Sequence, residues 1–486
     1  MPSSSAFTLS VSARRILASR RWLVRRERGA RSIMAIRIRA RRQTPVDLGP
    51  VAGENGRTMK TRRTFLRTLA GAGAVATLPC LTNDALARVS AARARLADPD
   101  DPEKVARDER YWRDIQSAFS IDRNLVNLNN GGVSPSPRSV QRAMQRYLDH
   151  SQAAPSYTMW RHLEPRRETV RTRLAKHFGC DREEIAITRN ASEAMETLIF
   201  GLDLKPGDHV LACDHNYPRM LNTWRQRARR DGIVLETFDV ATNPDRPSDL
   251  VAAVEKRIRK NTKVIEVVHV ANRNGQIWPV RDICRLGRAR GITVLVDGAH
   301  AFAHFPFRRD DLECDFYGTS LHKWLLAPHG TGFLYVKKER IKEIWPLMAA
   351  TEAQDEDIRK FEEIGTHPAA NALAVGEALT FHEGIGVANK AARLRYLNRY
   401  WIARLDKDPR VTIRTNDEPA QSCGLRLLHI EGVKPGDLHS HLLKNHGIIT
   451  SSIGGETVSG NRISPNVYTT LEELDRFVHA VRAFLA

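Results

Sequence analysis

The run Thr319-Ser320-Leu321-His322-Lys323-Trp324 is followed at once by the Gly-rich Pro328-His329-Gly330-Thr331-Gly332. A lysine just after an apolar strand, flanked by hydroxyl and imidazole groups and then by glycines, suits an amine that forms a Schiff base beside a bound phosphate. A lone lysine is ordinarily a solvated surface residue, so its weight comes from partners elsewhere. The apolar run Val294-Leu295-Val296 ends in Asp297-Gly298-Ala299-His300. A carboxylate there either caps the next segment or meets a ligand cation. Pyridoxal phosphate needs such a partner, because an aspartate against its ring nitrogen keeps the ring protonated and able to accept electrons from a substrate Cα. The third piece is Thr188-Arg189-Asn190-Ala191-Ser192-Glu193-Ala194, which runs from a strand into a helix. The backbone N–H groups of Ala191 and Ser192 and the Ser192 hydroxyl would face a phosphate there, with Ser192 as a plain N-cap the competing reading.

Such residues must be brought together by the elements between them. Short β-branched runs at 184–188, 209–213, 234–238, 264–270, 293–296, 315–319 and 332–336 read as strands. Helical periodicity fills 193–200, 220–230, 247–259 and 281–290. This βαβα alternation predicts an α/β fold, a mainly parallel sheet between helices with ligands at the carboxyl ends of its strands. A helical, Arg-rich segment (104–175) precedes it. From about residue 372 a long helix and then shorter strands and helices predict a smaller α+β C-terminal domain.

The chain has 486 residues, 42% hydrophobic and 27% charged, with no unbroken apolar run of membrane-spanning length, and reads as a soluble globular protein. Its formal charge of +20 would suit a nucleic-acid binder, but residues 1–58 carry 13 Arg against Glu27, Asp47 and Glu54, and 59–87 add Lys60, Arg62, Arg63 and Arg67 against Asp84. That leaves +7 for the remaining 399 residues, so no nucleic-acid surface is expected on the body. Six cysteines, at 80, 180, 213, 284, 314 and 423, form no C-x-x-C pair and no zinc spacing with histidine. Neither a metal site nor a disulfide framework is expected.

Thr61-Arg62-Arg63-Thr64-Phe65-Leu66-Arg67 places twin arginines before a mildly apolar stretch and the small-x-small Ala85-Leu86-Ala87. It resembles a twin-arginine export signal, with Met59 as the start and 1–58 as a mis-called or disordered leader. The expected location is periplasmic, reached through the twin-arginine translocase, with no membrane anchor on the mature protein. The competing reading is a basic tail on a cytoplasmic protein. The expected organisation is then 1–58 leader, 59–87 signal, 88–129 N-terminal segment, 130–371 large domain and 372–486 small domain.

Taken in order, these motifs resemble the class V aminotransferases, fold-type-I pyridoxal-phosphate enzymes that include cysteine desulfurases and isopenicillin N epimerase-like proteins. The likeness covers roughly residues 110–486. It implies that Leu128-Asn129-Asn130-Gly131-Gly132-Val133 is the opening substrate loop, with Asn130 binding substrate, and that His215 or Tyr217 of Asp214-His215-Asn216-Tyr217 stacks on the cofactor ring. Asn272, in His269-Val270-Ala271-Asn272-Arg273-Asn274-Gly275, would hydrogen-bond the cofactor's phenolic oxygen, with His300 near it. Ser320 and His322 would bind phosphate together with Ala191 and Ser192, and Lys323 would carry the Schiff base. Gly365-Thr366 resembles the segment that reaches the neighbouring subunit's phosphate, implying a homodimer with a shared active site. Arg462, in Asn461-Arg462-Ile463-Ser464-Pro465, would fork onto the substrate α-carboxylate.

The chain departs from the desulfurases in one respect. They carry a nucleophilic cysteine shortly before the C-terminal arginine, and residues 448–460 contain none; Cys423 lies further back, beside a strand, and reads as buried. Asp214-His215-x-Tyr217 and Arg462-x-Ser464-Pro465 lean toward the epimerase-like branch, whose members span epimerases, transaminases and C–S lyases. The expected activity is at the Cα of an amino acid, with Lys323 as Schiff-base amine and general base and Asp297 holding the electron sink. The competing readings are a scaffold of this fold that has lost catalysis, and a nucleic-acid binder resting on net charge alone.

Overall fold

The computed structural model describes residues 83–486 apart from positions 241 and 456. The leader, the twin arginines and the apolar stretch after them lie outside the described residues. Ala85-Leu86-Ala87 falls within the first described helix, Asn83–Ala94.

Thirteen strands are described. A short β1 (Val126–Asn127) is followed by β2 (Ile185–Thr188), β3 (His209–Cys213), β4 (Val234–Phe238), β5 (Thr262–Val268), β6 (Thr293–Asp297), β7 (Phe316–Ser320) and β8 (Gly332–Val336). The last seven form one sheet in the order β2-β8-β7-β6-β5-β3-β4, in which β8 runs antiparallel to both neighbours and the other pairs are parallel. All seven strand positions anticipated from β-branched runs are occupied. The central strands β3, β7 and β8 are buried along their whole length. Covered on both faces, they have no reason to alternate polar with apolar residues, which is why 210–213 and 333–336 read as continuous apolar runs, while β7 ends in Thr319 and Ser320.

Two hydrophobic clusters flank the sheet. Ala194, Leu198, Met220 and Trp224, from helices Ala191–Gly201 and Pro218–Asp231, pack on Val264, Leu295 and Phe316. On the opposite face Leu174, Phe178, Ile283 and Leu379, from helices Arg167–Phe178, Val280–Ala289 and Ala370–Ile385, pack on Ile265, Val267 and Val296. Their side chains alternate along each strand between the two cores, as pleating requires.

Beyond residue 370 come helices Ala370–Ile385 and Val387–Leu405, then β9 (Val411–Ile413), β10 (Arg426–Ile430), β11 (Ile448–Ile449), β12 (Ser451–Ile453) and β13 (Gly460–Ile463). Strands β12-β13-β10-β9 form an antiparallel sheet, over which Leu438 and Leu442 of helix Pro435–His446 and Leu474 and Phe477 of helix Leu471–Leu485 close a third core. The segment around β1, ahead of the large sheet, is tied to this region. β1 pairs in parallel with β11, and Asn129 bridges Ser464. Among the described residues no helix is long and apolar enough to cross a membrane.

The turn after β6 is set by Gly298. A Cβ there would lie 1.9 Å from the Tyr317 ring, and the close approach allows the Gly298 N–H to donate to the Gly318 carbonyl at 2.8 Å. This contact holds Asp297, one residue earlier, at the mouth of the sheet.

Candidate active site

The carboxyl ends of β5, β6 and β7, the start of helix Ala191–Gly201, the loop after β1, and β12 and β13 surround a cavity of about 670 Å3. Its lining includes Ala191, Ser192, Tyr217, Asn272, Asp297, His300, Ser320, His322, Lys323 and Arg462. Ten sequence-selected residues from six separate segments therefore meet at one place, where open α/β sheets bind ligands.

Lys323 lies three residues past the end of β7, its Nζ 3.1 Å from His300 Nε2. Burial pulls the Lys323 ammonium down to about 8; Asp297 opposes that shift and Arg462 adds to it. About a tenth of the amine is therefore unprotonated at pH 7, far more than of a solvated lysine, as a nucleophile or base requires. Burial, reinforced by the Lys323 charge, holds His300 well below the ordinary imidazole range. Its ring is neutral, and its buried Nδ1 has no partner.

Asp297 accepts the Ala299 N–H at 2.9 Å through one carboxylate oxygen while lining the cavity. It therefore caps the turn and still faces the ligand space, so the two readings of this residue coexist. Burial raises its carboxyl, against the pull of the Ala299 N–H and the Lys323 charge.

At the helix start the N-cap is Asn190, whose side chain accepts the Glu193 N–H, rather than Ser192. The Ser192 hydroxyl is thereby released to the cavity. The Ala191 N–H donates to Ser320 Oγ at 3.0 Å, which ties the helix start to the end of β7. His322 places Nδ1 3.2 Å from the Thr331 carbonyl, and burial holds its ring at about 4.

Arg462, on β13, reaches across to the other side. Its guanidinium donates to the Asn272 carbonyl and to Asn129 Oδ1, both at 2.7 Å, and leaves Nε buried without a partner. No acidic side chain among the described residues forms an ion pair with it. Burial pulls the group down to about 10. A buried cation held only by neutral acceptors is costly unless an anion completes it.

Three selected residues are placed otherwise. Asn130 is fully buried, its amide donating to the Asn127 and Ser464 carbonyls and accepting from the Tyr468 hydroxyl. Its hydrogen-bonding capacity is spent on fastening the loop, and the neighbouring Asn129 lines the cavity instead. Of the two aromatic candidates, Tyr217 lines the cavity, whereas His215 is buried with Nε2 3.9 Å from both Asp214 and Asp239. Its ligand atoms and theirs lie within 4.8 Å of one another. Thr366 lies exposed at a separate cavity beside Arg167, Arg359 and Glu362. Cys423 is buried, its thiol raised to about 11, and no cysteine lines the site.

Arg219, Ser451 and Glu266 were not singled out by sequence. Arg219 follows Pro218 at the start of a helix, and it too lines the cavity. Glu266 sits fully buried in β5, where Trp224 Nε1 donates to its Oε2 and Oε1 has no partner. Burial first, and then the nearby Asp297, raise its carboxyl to about 8. The folded protein therefore keeps a proton on Glu266 that the unfolded chain releases above its ordinary value of 4.5. Stability is lost as pH rises from about 4.5 to about 8, by roughly 3 kcal/mol at pH 7. Glu266→Gln, which keeps the Trp224 acceptor, is expected to raise the urea midpoint at pH 8 and change it little at pH 4.5; an equal effect at both values would contradict this assignment.

The residues present fit pyridoxal phosphate. The partnerless His300 Nδ1, Asn272 Oδ1 and Arg462 Nε are buried polar atoms around a single cavity. Each costs on the order of 1–3 kcal/mol when left unbonded, a cost that a polar ligand relieves.

A family model described as aminotransferase class-V matches residues 126–477. An isopenicillin N epimerase of Streptomyces clavuligerus is 30% identical over 389 residues, covering 76% of this chain and 98% of that protein. A cysteine desulfurase of Haloferax volcanii is 28% identical over 388 residues, covering 74% and 89%. Among solved structures, a C-DES variant with glycine covalently linked to its pyridoxal phosphate cofactor superposes with a TM-score of 0.65 at 22% identity, covering 74% of this chain and 96% of that one. The fold is that of fold-type-I pyridoxal-phosphate enzymes, and the chain belongs to the class-V aminotransferase family.

Proposed function

We propose that the chain is a pyridoxal-phosphate enzyme acting at the Cα of an amino acid, of the aminotransferase, epimerase or C–S lyase type. The observation that carries this reading is a single cavity in which Lys323, Asp297 and an Arg462 with no acidic partner among the described residues converge. When bound, pyridoxal phosphate supplies an aldehyde that condenses with amines and a protonated ring that accepts electrons from Cα.

The protein's part follows from the geometry. Ser192, Ser320 and His322 offer hydroxyl and imidazole groups to a phosphate at the positive end of helix Ala191–Gly201. With the cofactor bound, Asp297 would hold the ring nitrogen, Asn272 and His300 would hydrogen-bond the phenolic oxygen and Tyr217 would pack on the ring. Arg462 would fork onto the α-carboxylate, and Lys323 Nζ would take the Cα proton and return it. The absence of a cysteine at 448–460 and in the cavity lining argues against desulfurase chemistry through a protein persulfide. The purified protein is expected to absorb at roughly 400–430 nm or to acquire that band on adding cofactor. A panel of L- and D-amino acids, with and without keto acids, then resolves the reaction type by product. A colourless protein that takes up no cofactor would sink the enzyme reading.

The site is shared in a homodimer in this proposal. The support is Gly365-Thr366, remote from its own chain's Lys323 cavity yet resembling a segment that serves a partner's phosphate. Subunits carrying Lys323→Ala and Thr366→Arg, each inactive alone, are expected to regain activity when mixed; no recovery between subunits shown to exchange would contradict sharing.

We further propose export by the twin-arginine route, supported by Arg62-Arg63, the apolar stretch and Ala85-Leu86-Ala87. Residues 59–87 should carry a pre-folded reporter to the periplasm, and changing both arginines to lysine should stop it. Undiminished export by the double variant would make the arginines incidental.

A further inference from the structure

Behind the Lys323–His300 pair lies a second histidine that no step above uses. His304 is fully buried, and its ring lies flat on the Trp324 indole, with centroids 3.7 Å apart and planes within 1°. Its Nδ1 is 2.7 Å from the His300 carbonyl oxygen, and its Nε2 is 2.7 Å from the Gly424 backbone nitrogen. A backbone carbonyl only accepts and a backbone N–H only donates. The ring is therefore neutral, with its proton on Nδ1 and its lone pair on Nε2.

The surroundings are built around this ring. A Cβ on Gly424 would lie 2.6 Å from His304 Nε2 and 2.9 Å from the Trp324 ring, so only glycine lets the backbone approach. Ala303, one residue before, and Leu326, two after Trp324, both take left-handed backbone conformations, with φ of 60° and 65°. Non-glycine residues keep such conformations only where the surroundings over-determine them. The Trp324 carbonyl accepts from the buried Lys390 ammonium. Lys390, Arg395 and Arg426 add positive charge around the ring, which favours its neutral form, and Cys423 Sγ lies 3.8 Å from the His304 carbonyl.

Its contacts lead to the two ends of the site. The His300 carbonyl belongs to the residue whose Nε2 meets Lys323 Nζ, and Trp324 is the residue after Lys323. Gly424 precedes β10 by two residues, and on β10 Leu427 pairs with Arg462 of β13.

We propose that His304 is a positioning residue: through His300 and Trp324 it fixes the Lys323 amine, and through Gly424 it ties that amine to the strand pair that carries Arg462. The inference rests on the reading of Lys323 as the reactive amine.

Two variants separate its parts. His304→Phe keeps a ring on Trp324 but loses both hydrogen bonds, while His304→Gln gives up the stacking and retains a donor and an acceptor. The first readout is the pH dependence of Lys323 arylation by fluorodinitrobenzene in cofactor-free protein, mapped by mass spectrometry. The second, in holoenzyme, is kcat and KM for the amino acid that the panel identifies. In His304→Phe the arylation midpoint is expected to rise by about half a pH unit or more as the amine gains freedom and solvent. Its kcat is expected to fall about tenfold or more, and His304→Gln should recover part of both. A lowered melting temperature with an unchanged midpoint and unchanged kcat in folded His304→Phe would overturn the proposal and leave His304 a packing residue. The arylation arm needs no cofactor, so a wild-type protein that binds none would defeat the enzyme reading while still deciding whether His304 positions the amine.

Discussion

Lys323→Ala is expected to abolish both the visible absorbance and the borohydride-trappable adduct of the purified protein, and to lower turnover by at least about 10^4-fold. One atom carries both losses. Lys323 Nζ is the amine of the cavity that burial has brought to about 8, so it can attack a carbonyl near neutrality and then serve as a base. Removing it leaves His300 Nε2 facing an empty place, and that imidazole is held far below its ordinary range, so it is a poor substitute base. The fold should survive, because Nζ makes a single hydrogen bond among the described residues. A Lys323→Ala protein that keeps a reducible adduct would move the reactive amine elsewhere, and buried Lys390, brought down to about 7, would be the next candidate.

The sheet was legible because most of its strands are buried on both faces, β4 at the edge apart, and its helices are amphipathic, so period and run length alone separated them. The site was legible where chemistry restricts residue type, as at Lys323, Asp297 and Arg462. It was less legible inside loops. Asn129 and Asn130 are adjacent and alike, and only the Ser464 and Tyr468 contacts, more than 330 positions away, decide which one turns inward. The same holds for Asn190 and Ser192, two acceptable N-caps two residues apart, where backbone conformation selects the first. His215 and Tyr217 likewise differ in depth rather than in type. Glu266 was hidden by its own strand, because an isolated carboxyl in an apolar run carries no local sign of Trp224 across the sheet face.

Arg462→Lys separates substrate recognition from cofactor chemistry. A guanidinium makes two parallel hydrogen bonds to a carboxylate, while an ammonium is a point charge on a flexible stem. Arg462 is already oriented from behind by the Asn272 carbonyl and Asn129 Oδ1. A lysine cannot hold both acceptors and a carboxylate in one plane. For amino acids kcat/KM is expected to fall on the order of 100-fold, about 2–3 kcal/mol, with cofactor absorbance retained. Amines without the carboxylate should be nearly indifferent. The contacts to Asn272 and Asn129 also make Arg462 a fastener between β13, the loop after β5 and the loop after β1, and that role predicts a different pattern. If fastening were its main work, the substitution would lower the melting temperature and slow all amines alike. What favours recognition is the charge: two neutral oxygens can be fastened by a neutral donor, and a buried cation with no acidic partner among the described residues is held at a cost that a carboxylate ligand relieves. Equal losses for carboxylate and non-carboxylate amines, with a lowered melting temperature, would decide for the fastener.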